Sequence, residues 1–190
     1  MNSWWWYLAR STGIVATVLA AAALIWGFFF SARATGKRLR PAWWLDLHNW
    51  LGGLAFAFTV VHVLAVFADS DLGMGVKQIF VPGASATQTW AMTFGVIAMY
   101  LVAVVSLSSI QRVRRAMPRK VWHAVHLLSV PMVVLAVLHG YQSGSDALTS
   151  AFKAGLVITV GLAVYPFGIR ITGVLAKQAA ARNAAPARRG

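Results

Sequence analysis

Long apolar stretches constrain this chain most strongly, because each approaches the ~20 residues that a helix needs to cross the ~30 Å hydrocarbon core of a bilayer. Five stretches qualify, at about residues 4–30, 43–67, 89–110, 121–140 and 148–174. The fifth is the weakest, since Lys153 and Arg170 bracket it and Pro166 is expected to kink it. The sequence therefore predicts an all-α integral membrane helical bundle with about five transmembrane helices.

The composition agrees with a membrane protein and argues against a water-soluble enzyme. Hydrophobic residues make up 59% of the chain and charged residues only 11%, whereas soluble domains carry about 25% charged residues. The 17 basic residues outnumber the 4 acidic ones, but they lie between the apolar stretches, which is typical of topology charge rather than of nucleic-acid binding. Cysteine is absent, which excludes disulfides, iron–sulfur clusters and covalently attached c-type heme.

The basic residues also predict how the helices are oriented. They concentrate after the first helix, after the third helix and in the tail: Arg33, Lys37, Arg38, Arg40, Arg112, Arg114, Arg115, Arg119, Lys120, Lys177, Arg182, Arg188 and Arg189. Because cytoplasmic loops carry the excess of lysine and arginine, we expect the N-terminus outside and the C-terminus in the cytoplasm, in a plasma or inner membrane. Residues 1–175 then form one transmembrane domain, and residues 176–190 form a flexible basic tail.

Histidines occur in only two of the five predicted helices. His48 and His62 lie in the second helix, and His123, His126 and His139 lie in the fourth. An ionisable group inside a bilayer is costly and marks a candidate functional site, although a single histidine there more often bonds a neighbouring helix. Two histidines at matching depths on each of two helices favour the functional interpretation.

The spacing of the histidines predicts two pairs. His62 follows His48 by 14 residues, or ~21 Å along an ideal helix, and His139 follows His126 by 13 residues, or ~20 Å. Both helices run outward, so His48 lies level with His126 near the inner surface, and His62 lies level with His139 near the outer one. Two facing imidazoles are the axial ligands of six-coordinate heme iron, whereas zinc needs three or four converging ligands.

The second helix offers space beside its histidines. Gly52, Ala55 and Thr59 lie on the same face, between the two rings. Small side chains there leave room for a flat macrocycle, but they equally permit close helix packing.

The fourth helix fits this hypothesis less well. His139 lies ~140° around an ideal helix from His126, and a bend at Pro131 or a tilt of the helix has to absorb the difference. His123 is a rival inner ligand on a face similar to that of His126, and we rank it second.

Several motifs resemble the ferric reductase-like transmembrane domain family. They are WYLARSTG at residues 6–13, Leu47-His48 through Val61-His62, Val81-Pro82-Gly83, Gly95 to Tyr100, Ser108-Ser109, WHAVHL at residues 122–127 and Leu138-His139-Gly140. This family includes the membrane part of NADPH oxidases, metalloreductases and the heme-binding membrane subunit of a methionine sulfoxide reductase system. The resemblance covers about residues 4–145. It implies two stacked b-type hemes, held by the two histidine pairs, that pass electrons across the membrane.

The resemblance implies a relay from an inner heme to an outer heme and on to an extracytoplasmic acceptor. Full reductases of the family carry a cytoplasmic domain that binds FAD and NAD(P)H, but no glycine-rich dinucleotide fingerprint occurs here. We therefore expect a separate donor: a flavoprotein, a flavin (FMN or FAD) bound at the cytoplasmic side, or a quinol. The chain is then an oxidoreductase component, and whether it is an enzyme by itself stays open.

Two alternatives remain at this point. The chain is a heme-binding membrane subunit dedicated to a periplasmic or extracellular partner reductase, or it is a heme-free transporter or assembly protein.

Heme propionates require basic partners near each membrane surface. Arg10 is the candidate for the outer heme, because it lies at the outer end of the first helix. The candidates for the inner heme are Arg38, Arg40, Arg119 and Lys120. Each of these cations has an alternative role in topology or in binding anionic lipid.

Overall fold

The computed structural model describes residues 3–31, 41–144 and 149–184. Over these ranges the chain is almost entirely helical and contains no strand. The helices are α1 (Ser3–Ser31), α2 (Pro41–Ala68), α3 (Val76–Phe80), α4 (Thr89–Ser109), α5 (Gln111–Ala116), α6 (Arg119–Leu127), α7 (Ser129–Ser143) and α8 (Ser150–Ala184). The predicted all-α fold class is confirmed.

Four segments within these ranges are long and apolar enough to cross a membrane. They are Trp4–Phe30, Ala42–Ala68, Thr89–Ser109 and Arg119–Ser143, the last spanning α6 and α7. They coincide with the first four predicted spans, so the chain is a multi-pass membrane bundle. The fifth predicted span falls within α8, whose apolar stretch Phe152–Leu162 is shorter.

Helix α8 extends further than the sequence predicted. We expected a helix ending near Val174 and a flexible tail from residue 176, but α8 continues to Ala184. Its last ten residues, LAKQAAARNA, are rich in alanine, lysine, glutamine and arginine, which have high helix propensity. The remaining tail, residues 185–190, and the basic loop, residues 32–40 with Arg38 and Arg40, lie outside the described residues.

Two closely packed helix pairs form the bundle. Helix α1 packs along α2, helix α4 packs along α7, and α1 also contacts α7 and α8. Ala9, Ala16, Ala20 and Ala23 form a buried stripe on one face of α1. In a bilayer, where lipid is as apolar as a leucine side chain, small residues promote association because they let helix backbones approach closely.

The fourth predicted helix is interrupted. Leu128 separates α6 from α7, whereas we expected one helix over residues 121–140. The amide of Leu128 donates to the carbonyl of Val125 (3.1 Å), a three-residue step that tightens the end of α6. Pro131 lies in the first turn of α7, where the missing N–H of proline is tolerated. Pro131 has no N–H to bond the carbonyl of Leu127, four residues earlier, so the interruption lies where this proline disturbs the helix.

The connection between α2 and α4 is fixed by hydrogen bonds. Asp69, which is buried, accepts from the amide of Asp71 (3.0 Å) and caps a 3-10 turn after α2. The hydroxyl of Tyr100 donates to the carbonyl of Phe80 (2.8 Å), which ties α3 to α4. The bond from Tyr100 holds α3 beside the middle of α4.

Candidate functional site

Two pairs of histidine rings meet between the helix pairs. The ring centroids of His48 on α2 and His126 on α6 are 5.8 Å apart, and the ring planes cross at 64°. Those of His62 on α2 and His139 on α7 are 6.3 Å apart, with planes crossing at 73°. The structure thus brings the four histidines together in the two combinations expected from their spacing.

His123 does not join either pair. Its side chain is exposed, and its ring contacts Trp122 edge-on, with the centroids 5.0 Å apart. Helix α6 therefore presents His126, and not His123, to His48.

The helix is disturbed between His126 and His139. A continuous ideal helix would place the two residues ~140° apart, yet both rings meet histidines of α2. The three-residue step at Leu128 and the missing N–H of Pro131 lie between them. We attribute the common direction of the two rings to this disturbed turn.

Three of the four rings donate a hydrogen bond from Nδ1 to a backbone carbonyl of a neighbouring helix. The Nδ1–H of His48 donates to Ala23 (3.0 Å) and that of His62 donates to Ala9 (2.7 Å), both on α1. The Nδ1–H of His139 donates to Ala91 on α4 (2.8 Å). Because a carbonyl only accepts, Nδ1 carries the proton and the Nε2 of each neutral ring keeps a free lone pair for a metal.

The fourth ring has a different partner. Nδ1 of His126 lies 3.3 Å from the hydroxyl oxygen of Ser109. That hydroxyl donates its own proton to the carbonyl of Val105 (2.7 Å), so it accepts the Nδ1–H of His126. All four imidazoles therefore leave Nε2 as the unprotonated nitrogen.

Glycines on α1 and α4 lie directly against the rings. A Cβ added at Gly95 would lie 2.7 Å from Nδ1 of His139, and one at Gly13 would lie 2.9 Å from Nδ1 of His62. One at Gly27 would lie 3.3 Å from Cε1 of His48. No role for these glycines was predicted from the sequence. The signal that could have indicated one is the 14-residue interval from Gly13 to Gly27, which equals the interval between the histidines of α2.

Two of the three small residues on the histidine face of α2 differ in their surroundings. A Cβ added at Gly52 would meet no atom within 4 Å, so space remains beside it. Ala55 is 2% exposed and packs in the hydrophobic core with Val102 and Met132. Gly52 therefore leaves room, whereas Ala55 serves close helix packing.

Each histidine pair has the spacing of two ligands on opposite sides of one metal. A metal–imidazole bond is about 2.0–2.1 Å and each nitrogen lies about 1 Å from its ring centroid, so a shared metal holds two centroids about 6 Å apart. The two centroid distances, 5.8 and 6.3 Å, fit this value. Among the residues that the structure describes, no group of three or more His, Cys, Asp or Glu is placed to hold a metal ion. The chain thus offers two nitrogens per site, which suits the axial positions of heme iron.

Basic side chains lie at both ends of the bundle. Half-buried Arg10 follows the carbonyl partner of His62 directly in sequence, and its guanidinium lies 5.0 Å from the ring centroid of Trp6. At the other end, Arg114 lies 5.0 Å over Trp122, whose ring stacks on His126 at 4.9 Å. Arg119 and Lys120 are exposed at the start of α6. Only a topological role was predicted for Arg114 from the sequence, and its place close to His126, over Trp122, was not predicted.

Comparison with known proteins identifies the family of this chain. The family model described as "Ferric reductase like transmembrane component" matches residues 12–137. That range includes His48, His62 and His126, and His139 lies two residues beyond it. The protein-methionine-sulfoxide reductase heme-binding subunit MsrQ of Rhodospirillum rubrum is 31% identical over 153 residues, covering 72% of this chain and 68% of the relative. The chain therefore belongs to the ferric reductase-like transmembrane family.

Proposed function

We propose that this protein is a transmembrane electron carrier that binds two b-type hemes. His48 and His126 hold the inner heme, and His62 and His139 hold the outer heme. The observation that carries the proposal is the presence of two pairs of facing imidazoles. In each pair the ring centroids are separated by about the distance that a shared metal requires, and each ring has an unprotonated Nε2. The name of the relative, a heme-binding subunit, supports the choice of cofactor.

The residues of the chain bind, orient and insulate this cofactor. When bound, heme supplies a one-electron couple between ferric and ferrous iron. The carbonyls of Ala9, Ala23 and Ala91 fix the tautomer and direction of three ligands and strengthen their donation to the metal. Arg10 is the candidate partner for a propionate of the outer heme, and Arg119 and Lys120, which are exposed at the start of α6, are the candidates for the inner one.

The proposed direction of transfer is from the cytoplasmic side to the outside of the cell membrane. The donor is a separate flavoprotein, a flavin (FMN or FAD) at the cytoplasmic side, or a quinol. The acceptor is an extracytoplasmic redox partner, and the relative's name supports a role as the membrane subunit of such a reductase. Reduction of the purified protein by a quinol without any flavoprotein supports the quinol as donor. Reduction only by a flavoprotein supports that protein, and a flavin that co-purifies with the chain supports a bound flavin.

The outer pair comes close to the surface at a shallow cavity between α4 and α7. The cavity has a volume of about 210 Å³ and is lined by Gln88, Thr89, Trp90, Ala91 and Gln142. Ala91 is the residue whose carbonyl accepts from His139, and Trp90 is 72% exposed. This edge is therefore our candidate for the place where electrons leave for the acceptor.

Heme stoichiometry and single histidine variants test the proposal. In detergent, we expect a dithionite-reduced minus oxidised spectrum of low-spin b-type heme at two hemes per chain. His62→Ala and His139→Ala should each remove the outer heme, and His48→Ala and His126→Ala the inner one. His123→Ala is the matched control and should keep both. Protein without heme after reconstitution, or full retention in all four variants, would contradict the proposal.

A further inference from the structure

The carbonyl acceptors on α1 repeat with the period of the histidines on α2. Ala9 and Ala23 are 14 residues apart, as are His48 and His62. Fourteen residues return to within ~40° of the same helix face, so α1 presents two equivalent sites to α2. In each site, a glycine four residues after the alanine lies against the ring. Helix α1 thus supplies two copies of an Ala-x-x-x-Gly unit, one for each histidine of α2.

Helix α4 contains the same unit once and a modified copy 14 residues later. Ala91 and Gly95 form the unit that holds His139. Fourteen residues after them lie Val105 and Ser109, which face His126. The position that is glycine in three units is therefore serine in the fourth.

This serine changes how His126 is held. In the other three units, the ring donates directly to a backbone carbonyl, at 2.7 to 3.0 Å. At Ser109 the side-chain oxygen intervenes: it donates to the carbonyl of Val105 and accepts from His126 at 3.3 Å. The same carbonyl also accepts from Ser108 (3.0 Å). His126 consequently has the longest Nδ1 hydrogen bond of the four rings.

A steric reason accompanies the difference. A Cβ would lie 2.7 Å from the ring nitrogen at Gly95 and 2.9 Å from it at Gly13, so the direct carbonyl contact requires glycine in these two units, and at Gly27 a Cβ would be tight, 3.3 Å from Cε1 of His48. With a side chain present at Ser109, the ring of His126 bonds the hydroxyl in place of the carbonyl.

We propose that Ser109 is a positioning residue that weakens the donor strength of His126 and thereby raises the reduction potential of the inner heme. A strong Nδ1–H···O bond makes an imidazole more electron-donating and stabilises ferric iron, and a weak one does the opposite. This inference rests on the proposed heme function. Under this proposal, the side chain of Ser109 on α4 distinguishes the inner site from the outer site, where the equivalent residue is Gly95.

Potentiometric titration of variants in a His62→Ala background isolates the inner heme. Ser109→Gly should let His126 reach the carbonyl of Val105, as in the other units, and lower the midpoint potential of the inner heme. Ser109→Ala removes the acceptor and should raise that potential above the parent value. Ser109→Thr keeps the hydroxyl and should match the parent. Ser108→Ala is the matched control, because its hydroxyl bonds Val105 but not His126.

The outcomes separate this inference from the proposed function. Equal midpoint potentials in Ser109→Gly, Ser109→Ala and the parent protein would overturn the role of Ser109 and leave the proposal of two hemes intact. If Ser109→Gly loses the inner heme, the midpoint potentials of Ser109→Ala and Ser109→Thr are compared. A higher potential in Ser109→Ala supports the inference, and equal potentials overturn it. A parent protein with intact His48 and His126 but without inner heme would instead contradict the proposed function.

Discussion

Gly95 and His139 are in direct contact, since a Cβ on the glycine would lie 2.7 Å from Nδ1 of the histidine. The same ring donates to the carbonyl of Ala91, one helical turn before the glycine (2.8 Å). Helix α4 thus fixes the direction of a side chain on α7 with two residues that carry almost no side chain themselves. This close approach of backbone to ring makes the proposed heme site sensitive to changes that leave all four histidines in place.

Gly95→Ala should reduce binding of the outer heme and spare the inner one. Overpacking at a fixed contact costs about 1–3 kcal/mol, which corresponds to roughly 5- to 150-fold weaker binding. Heme titration of the apoprotein, read from the visible spectrum, measures the change. Gly53→Ala is the control, because a Cβ there meets no atom within 4 Å. Unchanged outer-heme affinity in the first variant would refute the contact.

Arg10→Gln should weaken binding of the outer heme through loss of a propionate partner. Charge-assisted hydrogen bonds are worth about 1.5–3 kcal/mol, so we expect a loss of roughly 10- to 150-fold. Lys153→Gln removes an exposed cation from α8 and should leave heme affinity unchanged. Equal affinities of the Arg10 variant and the parent would indicate that Arg10 serves topology alone.

Trp122→Leu should loosen His126 and lower the affinity for the inner heme, because the indole stacks on that ring at 4.9 Å. Trp122→Phe keeps an aromatic face and removes an indole N–H that is buried without a hydrogen-bond partner, so it should retain the inner heme. Arg114→Gln should have a small effect, since an exposed cation–π contact contributes about 0.5–1 kcal/mol. Trp90→Leu, at the exposed outer end of α4, is the control. Inner-heme loss in the phenylalanine variant but not in the leucine variant would reject the role of stacking.

An alanine inserted after Leu128 should abolish the outer site and retain the inner one. One extra residue rotates α7 by ~100° relative to α6, which turns His139 away from His62 and leaves His126 in place. The spectrum should fall from two hemes per chain to one. A control insertion after Gly73, in the exposed connection outside the helices, should keep both hemes. Two hemes in the Leu128 insertion variant would show that the interruption does not set the phase.

Several features of the site could be predicted from residue spacing because a helix has a fixed rise. The 14-residue interval on α2 and the 13-residue interval on the next histidine helix placed the rings at two matching levels. The rotational phase of His139 could not be predicted, because Pro131 indicates a disturbed helix one turn earlier, at Leu127 and Leu128, but not how far α7 turns relative to α6.

The sequence by itself determined that this chain is an all-α membrane bundle and which histidines stand level with one another, because apolar length and helical rise are local properties. Only the tertiary structure decided which atoms hold each ring. The carbonyls of Ala9, Ala23 and Ala91, and the hydroxyl of Ser109, come from α1 and α4. Those contacts depend on how closely two helices approach and on their relative rotation, and both are set by packing between segments distant in sequence.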